Sequence, residues 1–286
     1  MNTFFLACAC LESEKGSDSD SEMAKSQFEY VKQFEQNDEL LKHCFIVVRV
    51  DGHAFHRFVV EHGYERPNDI RGLSLMNRAA QEVMHEFRDI VLAYGESDEY
   101  SFLFKRDTVL YGRRASKLST YVVSLFTSAF VFHWPEFFPE GPAIKYPPCF
   151  DARAVCYPTV RTVRDYFSWR QADCHINNLY NTSFWALVQQ KGLSPKDAEK
   201  QLCGTDSGQK NELLFSSFGI NYAKLPEMFR KGSVLVWDKN GRDEEMSFAE
   251  SLSLTHGDGH QLPFVLHVDI IRPTFWKNHP KLLPPD

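Results

Sequence analysis

The chain has 286 residues, 43% of them hydrophobic, enough for one large domain or two modest ones with their own cores. No run of sequence approaches the roughly 20 consecutive apolar residues of a membrane-spanning helix, which argues against a span. The net charge of −6 would speak against a nucleic-acid partner if it were evenly spread, but it is not. Glu12, Glu14, Asp18, Asp20 and Glu22 against Lys15 give residues 1–22 a charge of −4 and leave −2 for the rest. That acidic stretch reads as a disordered leader, with Met23 as an alternative start. Seven cysteines without a C-x-x-C pair point to reduced thiols rather than a structural zinc site.

In chain order, CFIVVRV (44–50) is a β-branched run that stops at Asp51-Gly52, a strand and its turn. Leu73, Met76, Ala80, Val83 and Phe87 recur at helical spacing, with Asn68 or Asp69 as N-cap. Two short strands, 90–94 and 100–104, flank the polar loop Gly95 to Glu99. A second helix carries Leu118, Val122, Leu125, Ala129 and Phe132 on one face and is expected to end at Pro135. Residues 153–157 form a last strand before Pro158. The order β-α-β-β-α-β is the ferredoxin-like arrangement, one use of which is a polymerase-type palm. The fold class is therefore α+β, with a palm over 23–159 and a helix-rich C-terminal region over 160–286. That region opens on a long helix near 163–190 whose apolar stripe is read as Ala172, Ile176, Leu179, Ser183 and Leu187. A polar insertion is expected near 238–251.

In a β-α-β unit the first and second strands run the same way, so Asp51 and Asp98 are brought to one edge of the sheet. Paired hard oxygen ligands of this kind suit magnesium, and two such ions can run a phosphoryl transfer. Gly52 allows close backbone approach or offers its carbonyl to the metal. Lys105, Arg106, Arg113, Arg114 and Lys117 against Asp107 form a basic patch, either a phosphate site or a solvated helix face. The side of the long helix bearing Arg170, Asp173, Cys174, His175, Asn177, Asn178 and Asn181 is unusually rich in amides. It suits either the reading of RNA edges or a buried polar network tying the second half to the palm.

VVRVDGHAFHRF (47–58), RPNDIRGL (66–73), AYGESDEYSF (93–102), SWRQADCHINNLYNTSFWAL (168–187) and KNELLF (210–215) resemble the tRNA(His) guanylyltransferases, the 3′–5′ polymerase family. The resemblance runs from Met23 to Trp276, apart from the insertion. It implies two Mg2+ ions, a homotetramer, and addition of one guanosine to the 5′ end of tRNA(His). ATP would adenylylate the tRNA 5′-monophosphate, the GTP 3′-hydroxyl would attack it, and pyrophosphate would then be removed. Carried onto this chain, the catalytic residues are Asp51 and Asp98, and the metal ligands are Asp51, the Gly52 carbonyl and Asp98. Nucleotide contacts fall on Asp51, Gly52, His53, Ala54, Phe55, His56, Asn68, Asp69, Ser97, Asp98, Arg114 and Lys117. The tRNA-facing residues are His175, Asn178, Asn181, Lys210 and Asn221. The family commonly has Lys where this chain has Arg66, which exchanges a point charge for a planar fork. A cytoplasmic location, with mitochondria as a second site, is expected. The rival readings are another palm nucleotidyltransferase, such as a 5′-end tRNA repair polymerase or a cyclase, and a GTP-binding regulatory partner of a membrane GTPase.

Overall fold

The structure, a computed structural model, describes residues 27–141, 143–238 and 261–284. The expected leader (1–22) and the insertion from residue 239 onward lie outside the described residues. Residues up to Asn37 form a unit of their own, which among the described residues holds one 3-10 turn, Glu29–Phe34. Asp38 to the C-terminus forms a second compact unit, and the site lies within it.

That second unit is built on a six-stranded sheet of order β4-β1-β3-β2-β5-β6, each neighbouring pair antiparallel. The strands are β1 (Phe45–Gly52), β2 (Ile90–Glu96), β3 (Glu99–Phe104), β4 (Phe150–Tyr157), β5 (Ser233–Val236) and β6 (Phe264–Leu266). Between them run α1 (Phe55–Glu61), α2 (Ile70–Glu86), α3 (Ala115–Phe137), α4 (Val160–Gln189), α5 (Pro195–Leu202), α6 (Ser207–Phe218) and α7 (Glu227–Lys231), and α8 (Pro273–Asn278) closes the chain. The first four strands with α2 and α3 give the expected ferredoxin-like palm.

Alternation along the strands divides the core. Ile46, Val48 and Val50 of β1 and Phe102 and Phe104 of β3 face α2 and α3, where they meet Leu75, Val83, Phe126 and Phe130. Phe45, Val47 and Leu103 face the other way, onto Val163 and Phe167 of α4 and Trp276 of α8. Each such fully buried side chain contributes on the order of 1.5–3 kcal/mol. Asp69 starts α2 by accepting from the Arg71 N–H at 2.9 Å. Thr159 and Thr162 form a reciprocal capping box that starts α4 three residues earlier than expected.

Four features depart from the expected pattern. α3 does not end at Pro135 but runs two residues further, to Phe137; a proline so near the end removes a hydrogen bond only from the last turn. α3 is also long and apolar enough, by length and composition, to cross a membrane. Its Leu118, Val122, Phe126, Ala129 and Phe130 nonetheless pack on the palm sheet, so it serves as a core helix. The run Ser233–Val236, too short to stand out, is a strand that pairs with β2 and so extends the palm sheet. Finally, Ile176 of the expected apolar stripe is 62% exposed, whereas Arg170, Cys174 and Asn178 on the polar side are buried. α4 packs on the sheet through Val163, Tyr166 and Phe167 near its start and on α5 and α6 through Leu179, Ala186 and Leu187 further along, so a single buried stripe does not describe it.

Candidate active site

The ends of β1 and β2 meet as expected. Asp51 lies opposite Glu99 in the β1–β3 ladder, and the Gly52 N–H donates to the Asp98 carbonyl at 3.0 Å. Asp98 is the second residue of the two-residue turn joining β2 and β3, and Ser97 before it adopts φ 49°, a left-handed conformation uncommon outside Gly, Asn and Asp. Gly52 is required by the approach. A Cβ there would sit 3.0 Å from the Asp98 Cβ and Oδ2 and 2.8 Å from the Phe55 ring, so any side chain would displace the carboxylate.

These residues open into a cleft of about 900 Å³ between the palm edge, the 64–69 loop, α4 and α7. Among the described residues its wall carries eight acidic side chains and, of Lys and Arg, Arg66 alone. The acids differ in their pairing. Asp69 accepts from the Glu65 N–H and from the Arg71 N–H and guanidinium, and Arg170 lies 3.1–3.8 Å from Glu99, Asp173 and Glu96. Asp51 and Asp98 have no basic ion-pair partner among the described residues.

Burial raises the pKa of Asp98; hydrogen bonding from Ser97 opposes the shift, the charge of Asp51 adds to it, and His56 counters it. Burial likewise raises Glu99, against the pull of Arg170 and Arg49. Burial, with Glu99 and Asp173 beside it, pushes Glu96 up to about 8 despite Arg170. Glu96 and Glu99 were not read as site residues from sequence. The sequence reading leaves both in the polar loop 95–99, whereas in the structure Glu96 ends β2 and Glu99 begins β3.

Among the described residues no group of three His, Cys, Asp or Glu side chains is placed to hold a metal. Two carboxylates and a glycine carbonyl leave the other coordination positions to water and to substrate phosphate, the usual way magnesium is held. The donor set is hard oxygen, the two carboxylates have no Lys or Arg ion-pair partner among the described residues, and Gly52 leaves room beside them. The residues therefore fit the ion.

Of the expected nucleotide contacts, Asp51, Gly52, Ala54, Phe55, His56, Asn68, Asp69, Ser97 and Asp98 all line this cleft. His53 does not line it, and its N–H goes to the Cys149 carbonyl at 2.8 Å. Asp69 is there in place only, because Oδ1 is taken by the Arg71 N–H and Nε and Oδ2 by the Glu65 N–H and the Arg71 guanidinium. Arg114 and Lys117 are not on the cleft wall. Arg114 pairs with Asp38 at 3.0 Å, and Lys117 lies 6.0 Å over the Tyr111 ring. Within the basic patch Arg113 has a structural role, being buried and donating to the carbonyls of Leu40, Leu41, Cys44, Arg106 and Thr108.

The residues expected to face tRNA separate in the same way. His175 and Asn181 are exposed on α4. Asn178 is not a surface residue, being 6% exposed and bonded to Asn68 and Tyr222, as the buried-network alternative requires. The Lys210 amine donates to the Thr205 carbonyl at 2.6 Å, and the Asn221 side chain caps the turn at Tyr222.

Comparison with known proteins matches the family described as tRNAHis guanylyltransferase over residues 28–158 and the one described as Thg1 C terminal domain over 161–272. A human protein named probable tRNA(His) guanylyltransferase is 53% identical over 272 residues, covering 92% of this chain and 90% of its own. The tRNA(His) guanylyltransferase of Schizosaccharomyces pombe is 51% identical over 260 residues, covering 91% and 98%. The crystal structure of the Saccharomyces cerevisiae tRNA(His) guanylyltransferase superposes with TM-score 0.71 at 52% identity, over 73% of this chain and 93% of that one. A bacterial Thg1-like protein in complex with ATP shares the fold, with TM-score 0.66 at 22% identity, over 87% and 95%. On these matches, the chain belongs to the tRNAHis guanylyltransferase family of nucleotidyltransferases.

Proposed function

We propose that this chain adds a guanosine to the 5′ end of tRNA(His), with ATP activating the tRNA 5′-phosphate and the GTP 3′-hydroxyl attacking the activated phosphorus. One observation carries the reading at the level of chemistry. An acidic cleft centred on two unpaired carboxylates repels a bare triphosphate and accepts one that arrives with divalent cations. Asp51, Asp98 and the Gly52 carbonyl would hold magnesium, which when bound neutralises phosphate charge and lowers the pKa of an attacking hydroxyl. The protein's own contribution is placement. The tight β2–β3 turn fixes Asp98 against Gly52, the 64–69 loop and α4 wall the cleft, and α7 closes its far side.

The relatives are named for tRNA(His), and bacterial Thg1-like proteins of the same fold bind ATP and GTP, which supports a nucleoside triphosphate as substrate. His175 and Asn181, exposed on the same helix that walls the cleft, are the α4 side chains we assign to the tRNA. Lys210 and Asn221 would shape that surface. A homotetramer is part of the same proposal, with light scattering as its check.

The deciding experiment incubates 5′-phosphorylated tRNA(His) with ATP and labelled GTP and asks which end gains label. Label at the 5′ end, with slower addition to a tRNA of another anticodon, is the expected result. Label at the 3′ end, or equal rates on both tRNAs, would return a conventional polymerase or a cyclase to first place.

A further inference from the structure

We propose that Tyr222 is a positioning residue of the nucleotide site, acting through Asn178 to fix which atom of Asn68 faces the cleft. The three residues come from distant parts of the chain and form one hydrogen-bonded line. Asn68 Nδ2 donates to Asn178 Oδ1 at 2.9 Å, and Asn178 Nδ2 donates to the Tyr222 hydroxyl at 3.1 Å. The hydroxyl in turn reaches the His175 carbonyl and Nδ1, each at 3.4 Å. Asn178 and Tyr222 are 6% and 5% exposed, so water is a poor substitute for either partner.

The direction of the line follows from its end. A backbone carbonyl only accepts, so the Tyr222 hydroxyl donates toward His175 and offers a lone pair to Asn178. The Asn178 amide must then turn its NH₂ to Tyr222 and its oxygen to Asn68. Asn68 answers with its NH₂, which leaves Asn68 Oδ1 with no donor among the described residues on a side chain that lines the cleft. The site thereby presents an acceptor at this point. An acceptor there selects a ribose hydroxyl or a base N–H and has no attraction for phosphate oxygens. This inference rests on the proposed reading that the cleft takes a nucleoside triphosphate.

Without the hydroxyl, a buried Asn178 N–H loses its partner, a cost that the amide can relieve by turning over. Asn68 would then lose its fixed orientation. The test is calorimetric titration of the full chain, in magnesium-containing buffer, with GTP and separately with inorganic tripolyphosphate. Tyr222→Phe keeps the ring in its apolar cluster with Leu179, Ala186 and Leu214 and removes only the hydroxyl. It is expected to weaken GTP about tenfold, the worth of one net hydrogen bond, and to leave tripolyphosphate unchanged. In an Asn68→Ala background the same substitution is expected to have no further effect on GTP.

Leu214→Ala, in the same cluster, controls for destabilisation and is expected to lower the melting temperature without changing GTP affinity. Unchanged GTP binding by Tyr222→Phe, an equal loss for tripolyphosphate, or an equal loss in Leu214→Ala would overturn the proposal. Wild-type protein that fails to bind GTP would overturn both readings. Wild-type protein that binds GTP and labels no tRNA would overturn the function alone.

Discussion

The edge of the sheet at Asp51 and Asp98 and the middle of α4 hold the same kinds of side chain in opposite states. On α4, Arg170 gathers Glu96, Glu99 and Asp173 around one guanidinium, and Asn178 is bonded through both its amide atoms. At the edge, Asp98 lies beside Asp51 with no basic ion-pair partner among the described residues, and burial raises its pKa against hydrogen bonding from Ser97. Polar groups that satisfy one another hold the fold together. Polar groups left facing each other across a cleft need something that is not in the chain. The difference lies in the partners and not in the residue types.

The largest expected effect tests the edge. Asp51→Ala or Asp98→Ala should lower guanosine addition by about a thousandfold, as loss of several kcal/mol of metal-borne charge stabilisation implies, while circular dichroism stays native. Full activity in either variant would break the contrast, since the edge would then be as structural as α4. Next comes the α4 side. Arg170→Met leaves Glu96, Glu99 and Asp173 without their shared cation, and breaking a buried pair costs about 3–5 kcal/mol. The melting temperature should drop by on the order of 10 °C; a variant that melts normally but loses activity would make Arg170 a site residue instead.

The smallest effect concerns Asp38, a half-buried acid whose pKa is lowered to about 2, chiefly by hydrogen bonding to Ser116 and also by Arg114. Because its folded pKa lies below its usual value of 3.8, its stabilisation is present above about pH 4 and is lost as pH falls toward 2. Asp38→Asn should therefore melt slightly below the wild type at neutral pH. The two should converge in acid, and a gap that persists at pH 2 would rule out the charge as its source.

What could be read from the sequence followed from how local the signal was. β1 stops at Asp51-Gly52, α2 follows its cap, and the hairpin around Asp98 is contiguous, so the palm and its carboxylate pair needed no knowledge of distant contacts. β5 escaped because four residues carry no period, and its role is decided by the free edge of β2. Ile176 reads as apolar stripe, and the polar side with Asn178 reads two ways, because helical periodicity assumes one covered face along a helix, whereas here the covering passes from the sheet to α5 and α6 along its length. The same blindness applies to Arg113. A basic residue in a basic stretch looks like a phosphate ligand, and only the fold reveals the five carbonyls around it.

The strand that closes the edge of β2 comes from far downstream, as the pairing of Leu92 with Val236 shows. During synthesis, a nascent palm leaves the ribosome long before that strand does, with the backbone of Ile90–Glu96 still open to any other extended chain. The boundary between the two family segments near residue 160 is accordingly no safe place to cut. A fragment ending there would keep the catalytic carboxylates and still expose a sticky sheet edge, so it should aggregate where the whole chain does not.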